Sequence, residues 1–247
     1  MTAPAPGAPL LDRVAAHGYA VAYDAVVDGF VPYERLVDEV AALIARSTAG
    51  PARVLDVSCG TGSLATRLAA RGHEVVAVDP VGALIDTARR RRAAGGEGQV
   101  SYRHLDIGRT PLEGERFDVI VSMHTLSWYA DAGALLVACR RALRSDGHAI
   151  VLSYARPVHV GTTFGSLRAR AGLGNAVRAL RWLVPTAAFE MLRSYEPRYL
   201  GVRDLEAMMT EAGFEVRECR HTFLAGVSAL AWARVSTSGA RSIVSHA

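Results

Sequence analysis

One stretch constrains this chain more than any other: Val54-Leu55-Asp56-Val57-Ser58-Cys59-Gly60-Thr61-Gly62-Ser63-Leu64-Ala65. Val54 to Val57 read as a short buried strand. Ser58 to Gly62 read as a tight glycine turn. Ser63 opens a helix that carries Leu64, Leu68 and Ala69 on one face. Glycine lets a backbone approach a ligand with no Cβ in the way. A strand, glycine turn and helix in this order make a unit that holds nucleotide-like cofactors.

Gly60 to Ala65 fits the pattern G-x-G-x-x-A of dinucleotide sites. Asp56 argues against that use. It stands four residues before Gly60, where a pyrophosphate-binding strand is normally apolar, and a carboxylate there repels phosphate. It attracts a cationic or amine-bearing ligand instead. S-adenosylmethionine, with a sulfonium, an α-ammonium and no phosphate, suits it. A nicotinamide dinucleotide stays open as the alternative at this point.

The chain has 247 residues, enough for one α/β domain with a full core and a small insertion. No apolar run reaches the roughly 20 residues that span a bilayer, and the Pro/Ala-rich start, Met1 to Leu10, lacks the pattern of a secretory signal. Cys59, Cys139 and Cys219 are scattered and have no metal spacing with the histidines. Reduced thiols and a cytoplasmic location are the expectation. All 28 basic residues are Arg, which removes lysine Schiff-base chemistry and a phosphate-loop lysine. The net charge of +4 is mild and no basic stripe with interleaved aromatics occurs, so neither nucleic acid nor a membrane is an expected partner. Arg89 to Arg92 close a helix, where cations suit the dipole.

Along the chain, Tyr33 to Ala45 read as a helix behind Pro32. Glu74 to Asp79 form a second strand ending in an acid, 19 residues after Gly60 and near the spacing of a ribose-binding carboxylate. Val81 to Arg92 is a helix and Val100 to His104 a third strand, followed directly by Asp106-Ile107. Phe117 to Met123 is an apolar fourth strand, as a buried parallel strand should be. His124 leaves its C-terminal end. Asp131 to Arg144 is a helix, Ser145 to Gly147 a turn, and His148 to Tyr154 a fifth strand. Residues 156–200 break the alternation. They carry seven Arg against two Glu, four glycines, and two expected helices, Ala176 to Val184 and Thr186 to Arg193, separated by Pro185. A helix from Val202 to Ala212 precedes two strands, Phe214 to Thr222 and Ala229 to Val235, whose short connection makes them antiparallel.

Taken together, Asp56 with Gly60 and Gly62, Asp79, Asp106-Ile107, the Phe117 strand and the final hairpin resemble the class I, Rossmann-like S-adenosylmethionine-dependent methyltransferases of the small-molecule type. The resemblance covers roughly Arg53 to Val235. It implies an α/β fold: a seven-stranded, mostly parallel sheet with an antiparallel last strand and helices on both faces. It implies residues 1–52 as a helical N-terminal lid and tail, 53–235 as the cofactor domain, 156–200 as a cap insertion that builds the acceptor pocket, and 236–247 as a tail. Within the cap, Phe164, Trp182, Phe189, Tyr195 and Tyr199 either line that pocket or form the cap's own core.

For the cofactor, the resemblance implies contacts from Tyr23, Asp56, Ser58, Gly60, Gly62, Asp79, Pro80, Asp106, Ile107, Ser122 and Met123. Asp79 serves the ribose, Asp106 the adenine amine, and the Ile107 side chain the ring. Tyr19 and Tyr23 either line the lid or pack beneath it. Ser58 stands where the family commonly has Gly. No Asn/Asp-Pro-Pro-Tyr/Phe follows the fourth strand, which argues against DNA-base amines as acceptors. The expected reaction is metal-independent transfer of a methyl group to a small biosynthetic or natural-product intermediate, by a monomer or homodimer, with S-adenosylhomocysteine as product. Where the acceptor is a hydroxyl, His124 is the first candidate for the base, ahead of His159 and Tyr23. Two alternatives remain: an NAD(P)-dependent oxidoreductase, and an S-adenosylmethionine-binding protein turned to a reaction other than methylation.

Overall fold

A computed structural model describes residues 30–94, 98–192, 199–224 and 226–236. Its seven strands are β1 (Arg53–Val57), β2 (Glu74–Asp79), β3 (Gln99–His104), β4 (Phe117–Met123), β5 (Leu143–Tyr154), β6 (Phe214–Thr222) and β7 (Ser228–Val235). They form one sheet in the order β3-β2-β1-β4-β5-β7-β6. β1 pairs in parallel with both β2 and β4, while β7 runs antiparallel to β5 and β6. The sheet therefore reverses its winding direction between β1 and β4, and the crevice beyond their C-terminal ends is where such sheets take ligands.

Helices cover both faces: α1 (Val31–Ser47), α2 (Ser63–Ala69), α3 (Gly82–Ala93), α4 (Ala132–Ala142), α5 (Val160–Ala171), α6 (Leu173–Leu192) and α7 (Val202–Glu211). The strands are apolar on both sides because both sides are covered. Val54, Val75, Ala77, Val119, Val121 and Ile150 pack with α1, α2 and part of α6. Leu55, Val57, Val76, Val78, Ile120 and Val151 pack with α4 and α7. In α1 the buried side chains Tyr33, Leu36, Val37, Val40, Leu43 and Ile44 recur at helical spacing. Each contributes about 1.5–3 kcal/mol by leaving water. Residues 31–47 thus belong to the core layer of the sheet, and the part of the expected lid they occupied is a packing helix.

Two further expectations change. The turn expected at Ser145 to Gly147 is absorbed into β5, which begins at Leu143 through a register shift against β4. The two helices expected at Ala176 to Val184 and Thr186 to Arg193 are instead one helix, and a further helix forms ahead of them where none was expected. α5 forms despite Gly161 and Gly165, and α6 runs for 20 residues straight through Pro185. A proline inside a helix costs about 3 kcal/mol or more. Here Trp182 and Leu183 before it and Thr186 after it are all buried, so packing on both sides of Pro185 keeps the helix whole. Trp182 belongs to the core, with its ring edge-on to Phe223 at 5.1 Å. Phe164 and Tyr199 are half-buried. Tyr19, Tyr23, Tyr195 and the tail residues 237–247 lie outside the described residues, as does the Phe189 side chain.

Candidate active site

The glycine turn forms as the sequence suggests, and its two glycines are needed for different reasons. Gly62 has φ +81° and caps α2; a Cβ there would lie 2.4 Å from the Tyr102 hydroxyl oxygen. Tyr102 rises from β3 beneath the turn and is hydrogen-bonded to Thr66 at 3.0 Å. Gly62 is therefore glycine for the protein's own packing. Gly60 has φ +58° and nothing within 4 Å of where a Cβ would stand. Its open side is the one a ligand can approach. Ser58 adopts φ +56°, so the position where the family commonly has Gly does need left-handed backbone, and Ser carries the strain.

Two carboxylates lie against this turn. Asp79, fully buried at the end of β2, accepts from the Gly60 N–H at 2.9 Å with one oxygen and from the Val81 N–H at 2.8 Å with the other. Asp56 is 2% exposed at the end of β1. One of its oxygens accepts from the Ala65 N–H, and the other, Oδ2, is buried with no hydrogen-bond partner among the described residues. Burial, and then the neighbouring Asp79 charge, push the Asp56 carboxyl up to about 7; burial raises Asp79 as well. A buried acceptor oxygen with nothing to accept from costs about 1–3 kcal/mol. An ammonium or sulfonium placed there relieves that cost and the repulsion between the two acids. A pyrophosphate would add to both. The residues present therefore fit an amine-bearing cationic cofactor.

Beyond β3, Asp106 Oδ1 accepts from the Gly108 N–H at 3.0 Å and from the Tyr129 hydroxyl at 2.8 Å. Arg109 lies 3.6 Å from Oδ2. Burial and the bond to Asp106 hold the Tyr129 hydroxyl well above its usual range, so it stays a donor. Ile107 is 2% exposed and packs into the core beside Val57 and Val78. Ser122, in β4, is buried with its hydroxyl unpartnered, while Met123 is half-buried against the core on the opposite face. Pro80 is half-buried, and its carbonyl oxygen lies 3.0 Å from His104 Nε2.

His124 stands at the end of β4 with φ +57° and 8% exposure. Its ring stacks on Tyr154 at 4.3 Å and lies 2.8 Å, through Nε2, from the Ser228 hydroxyl. Burial pushes its pKa down to about 4. The ring is neutral at physiological pH and only weakly basic. His159 is exposed at the start of α5. Four described non-glycine residues have left-handed backbone: Ser58, His124, Phe223 and Leu224. Each costs of order 1–3 kcal/mol. All four sit where strands β1, β4 and β6 end, so local strain is concentrated on the crevice side of the sheet. Cys59, in the turn, is held as a thiol by burial. Among the described residues no group of three His, Cys, Asp or Glu is placed to share a metal ion, and no helix is long and apolar enough to cross a membrane.

Tyr102, Tyr129, Tyr154 and Ser228 were not singled out from the sequence as site residues. The period-2 pattern of residues 100–104 does point Tyr102 inward. Ser228 carries no local signal, since it meets His124 from 104 residues away.

Residues 55–151 match a family described as a methyltransferase domain. This segment is a methyltransferase domain, and it lies in the seven-stranded sheet whose β1–β4 crevice holds the site. The chain is similar to the ubiquinone biosynthesis O-methyltransferase of Azorhizobium caulinodans, 32% identical over 166 residues, which are 67% of this chain and 60% of the relative. It also resembles the ubiquinone biosynthesis O-methyltransferase of Alkalilimnicola ehrlichii, 35% identical over 40% of each chain. The chain thus spans less than two thirds of the length of these relatives. Among solved structures, magnesium protoporphyrin IX methyltransferase from Synechocystis PCC 6803, crystallised with S-adenosylhomocysteine, shares the fold of the methyltransferase domain. Its TM-score is 0.63 at 17% identity, covering 92% of this chain and 98% of that one. An S-adenosylmethionine-dependent methyltransferase from Clostridium acetobutylicum gives 0.60 at 13% identity, over 90% and 99%.

Proposed function

We propose that this chain is an enzyme that methylates a small biosynthetic molecule with S-adenosylmethionine. The observation that carries the reading is the buried Asp56–Asp79 pair, with one Asp56 oxygen unpartnered among the described residues, beside the open face of Gly60. Asp56 is assigned to the cationic amino-acid end of the cofactor, Asp79 to the ribose, and Asp106 with Tyr129 to the adenine end. Ser58, Gly60, Pro80, Ser122 and Met123 are assigned to the walls between them, and Tyr23 and His159 remain candidates from the lid and cap. Bound there, S-adenosylmethionine would supply a methyl group that its sulfonium makes electrophilic, with S-adenosylhomocysteine as the leaving group. The chain's own work is to hold the acceptor in line and exclude water, which supplies most of the rate in such transfers. The acceptor is assigned to the crevice at the ends of β4 and β5, under the cap, with His124 in its wall.

Support comes from the family match and from relatives named ubiquinone biosynthesis O-methyltransferases. Calorimetric titration with S-adenosylhomocysteine and with NAD(P) tests the cofactor. Binding of the first and none of the second is expected; the reverse would end the reading. Transfer of radiolabelled methyl to quinol, phenol and carboxylate panels then identifies the acceptor.

A further inference from the structure

His124 is held from three sides. Tyr154 stacks on its ring nearly parallel, at an interplanar angle of 8°. Phe223 packs at 6.0 Å, and the Ser228 hydroxyl meets Nε2 at 2.8 Å. Its own N–H donates to the Leu152 carbonyl at 2.8 Å, which anchors the left-handed backbone. The ring therefore has one orientation, and the question is which nitrogen carries the proton.

Ser228 answers it. Its side chain is 0% exposed and its hydroxyl has one hydrogen-bond partner among the described residues, His124 Nε2. A hydroxyl proton sealed in the interior must find an acceptor. If Nε2 carried the ring proton, the serine proton would have no acceptor. With the serine donating, Nε2 is the acceptor and a neutral ring must carry its proton on Nδ1. Nδ1 has no partner among the described residues.

We infer that His124 meets the methyl acceptor as a hydrogen-bond donor through Nδ1–H, and that Ser228 is the positioning residue that fixes this tautomer. The inference rests on the reading of this crevice as the methyl-transfer site. It replaces the expected general base with a group that stabilises an oxygen anion. The acceptor's proton then leaves to water, and the anion is held by Nδ1–H while its oxygen attacks. That sets the substrate class: an acidic hydroxyl, a phenol or an enol, that ionises near neutral pH without a strong base. An unactivated alcohol does not qualify.

The first test needs neither cofactor nor acceptor. A long-range proton–nitrogen correlation spectrum of the histidine rings in wild-type protein near pH 7, assigned with the His124→Asn variant, should show His124 protonated on Nδ1 and bare on Nε2. A proton on Nε2 overturns the inference. Ser228→Ala should give a mixture of tautomers and lower kcat about tenfold with KM nearly unchanged; Ser228→Thr should restore both. A single Nδ1–H tautomer persisting in Ser228→Ala would remove Ser228 from the role.

His124→Phe, checked for folding by its thermal midpoint and for cofactor site by S-adenosylhomocysteine affinity, should lose about a hundredfold in kcat. His124→Asn, which keeps a donor, should stay within about tenfold of wild type. Wild type and His124→Asn should share the same acid limb in kcat/KM, because that limb belongs to the acceptor. An acid limb that disappears in His124→Asn would assign His124 as the base. A protein that binds no S-adenosylhomocysteine would defeat the methyltransferase reading while leaving the tautomer result standing.

Discussion

At the edge where β1, β2, β4 and β5 begin, charges pair from one strand start to the next. Arg53 pairs with Glu74 at 3.0 Å and with Glu115 at 2.6 Å, and its backbone N–H donates to Asp118 at 2.8 Å. Asp118 in turn pairs with Arg144. At the edge where the same strands end, two acids share a buried space and burial raises both, a histidine is held neutral, and the backbone is left-handed at Ser58 and His124. One sheet thus has a relaxed end and a strained end. The strain is affordable because the cores on both faces and the paired end hold the strands in place. Unsatisfied groups that would be a defect at the first edge are binding capacity at the second.

The comparison breaks most sharply at the acids. Asp56→Asn should weaken S-adenosylhomocysteine binding about a hundredfold or more, since losing one member of a buried charge pair costs about 2–5 kcal/mol; calorimetry measures it. The same variant should leave thermal stability unchanged or raised, because it removes a carboxyl whose ionisation burial and Asp79 both oppose. If affinity is untouched, the unpartnered oxygen is not the cofactor contact.

The pH dependence has a definite sign. The Asp56 carboxyl is raised from 3.8 to about 7, so between those values the unfolded chain has released a proton that the folded chain keeps. Stability without ligand should fall as pH rises through that window. The slope is about 1.4 kcal/mol per pH unit, for a total on the order of 4 kcal/mol. The raised carboxyl of Asp79 adds to it with the same sign. Urea midpoints at pH 5 and pH 8 should show the fall in wild type and a flatter profile in Asp56→Asn. Ligand binding should tighten as pH rises through about 7, with proton release, because an ammonium favours ionised Asp56.

The two glycines separate fold from function within the strained edge. Gly62→Ala drives a methyl into Tyr102 and should destabilise by about 2–3 kcal/mol, partly recovered by also shortening Tyr102 to Val. Gly60→Ala has room and should cost only about 1 kcal/mol in stability, while cofactor affinity falls sharply. Equal stability losses would erase the distinction. Ser58→Gly should raise stability by up to about 1 kcal/mol by relieving φ +56°. The smallest change is expected at the paired edge: Asp118→Asn should cost about 0.5–1 kcal/mol and leave cofactor binding alone.

Much of the strained edge was legible in the sequence because it is built from local signals. Asp56, Gly60, Asp79 and Asp106 each sit at a fixed offset from a strand end, and strand ends can be read from apolar runs. The helices were legible where apolar spacing was regular, as in α1. Pro185 misled because a proline's local cost says nothing of the buried Trp182 and Thr186 on either side of it.

What the sequence determined by itself was the order of strands and the acids and glycines at their ends, since period, turn chemistry and charge act over a few residues. Which of those groups are left unsatisfied only the tertiary structure decided. The split between Gly60 and Gly62 depends on Tyr102 arriving from β3. The raised carboxyl of Asp56 depends on its burial and on Asp79 beside it in β2. The proton on His124 depends on Ser228, which only the antiparallel return of β7 beside β5 brings to it. Burial and long-range pairing have no local signature, and they set the protonation states on which the chemistry of this edge depends.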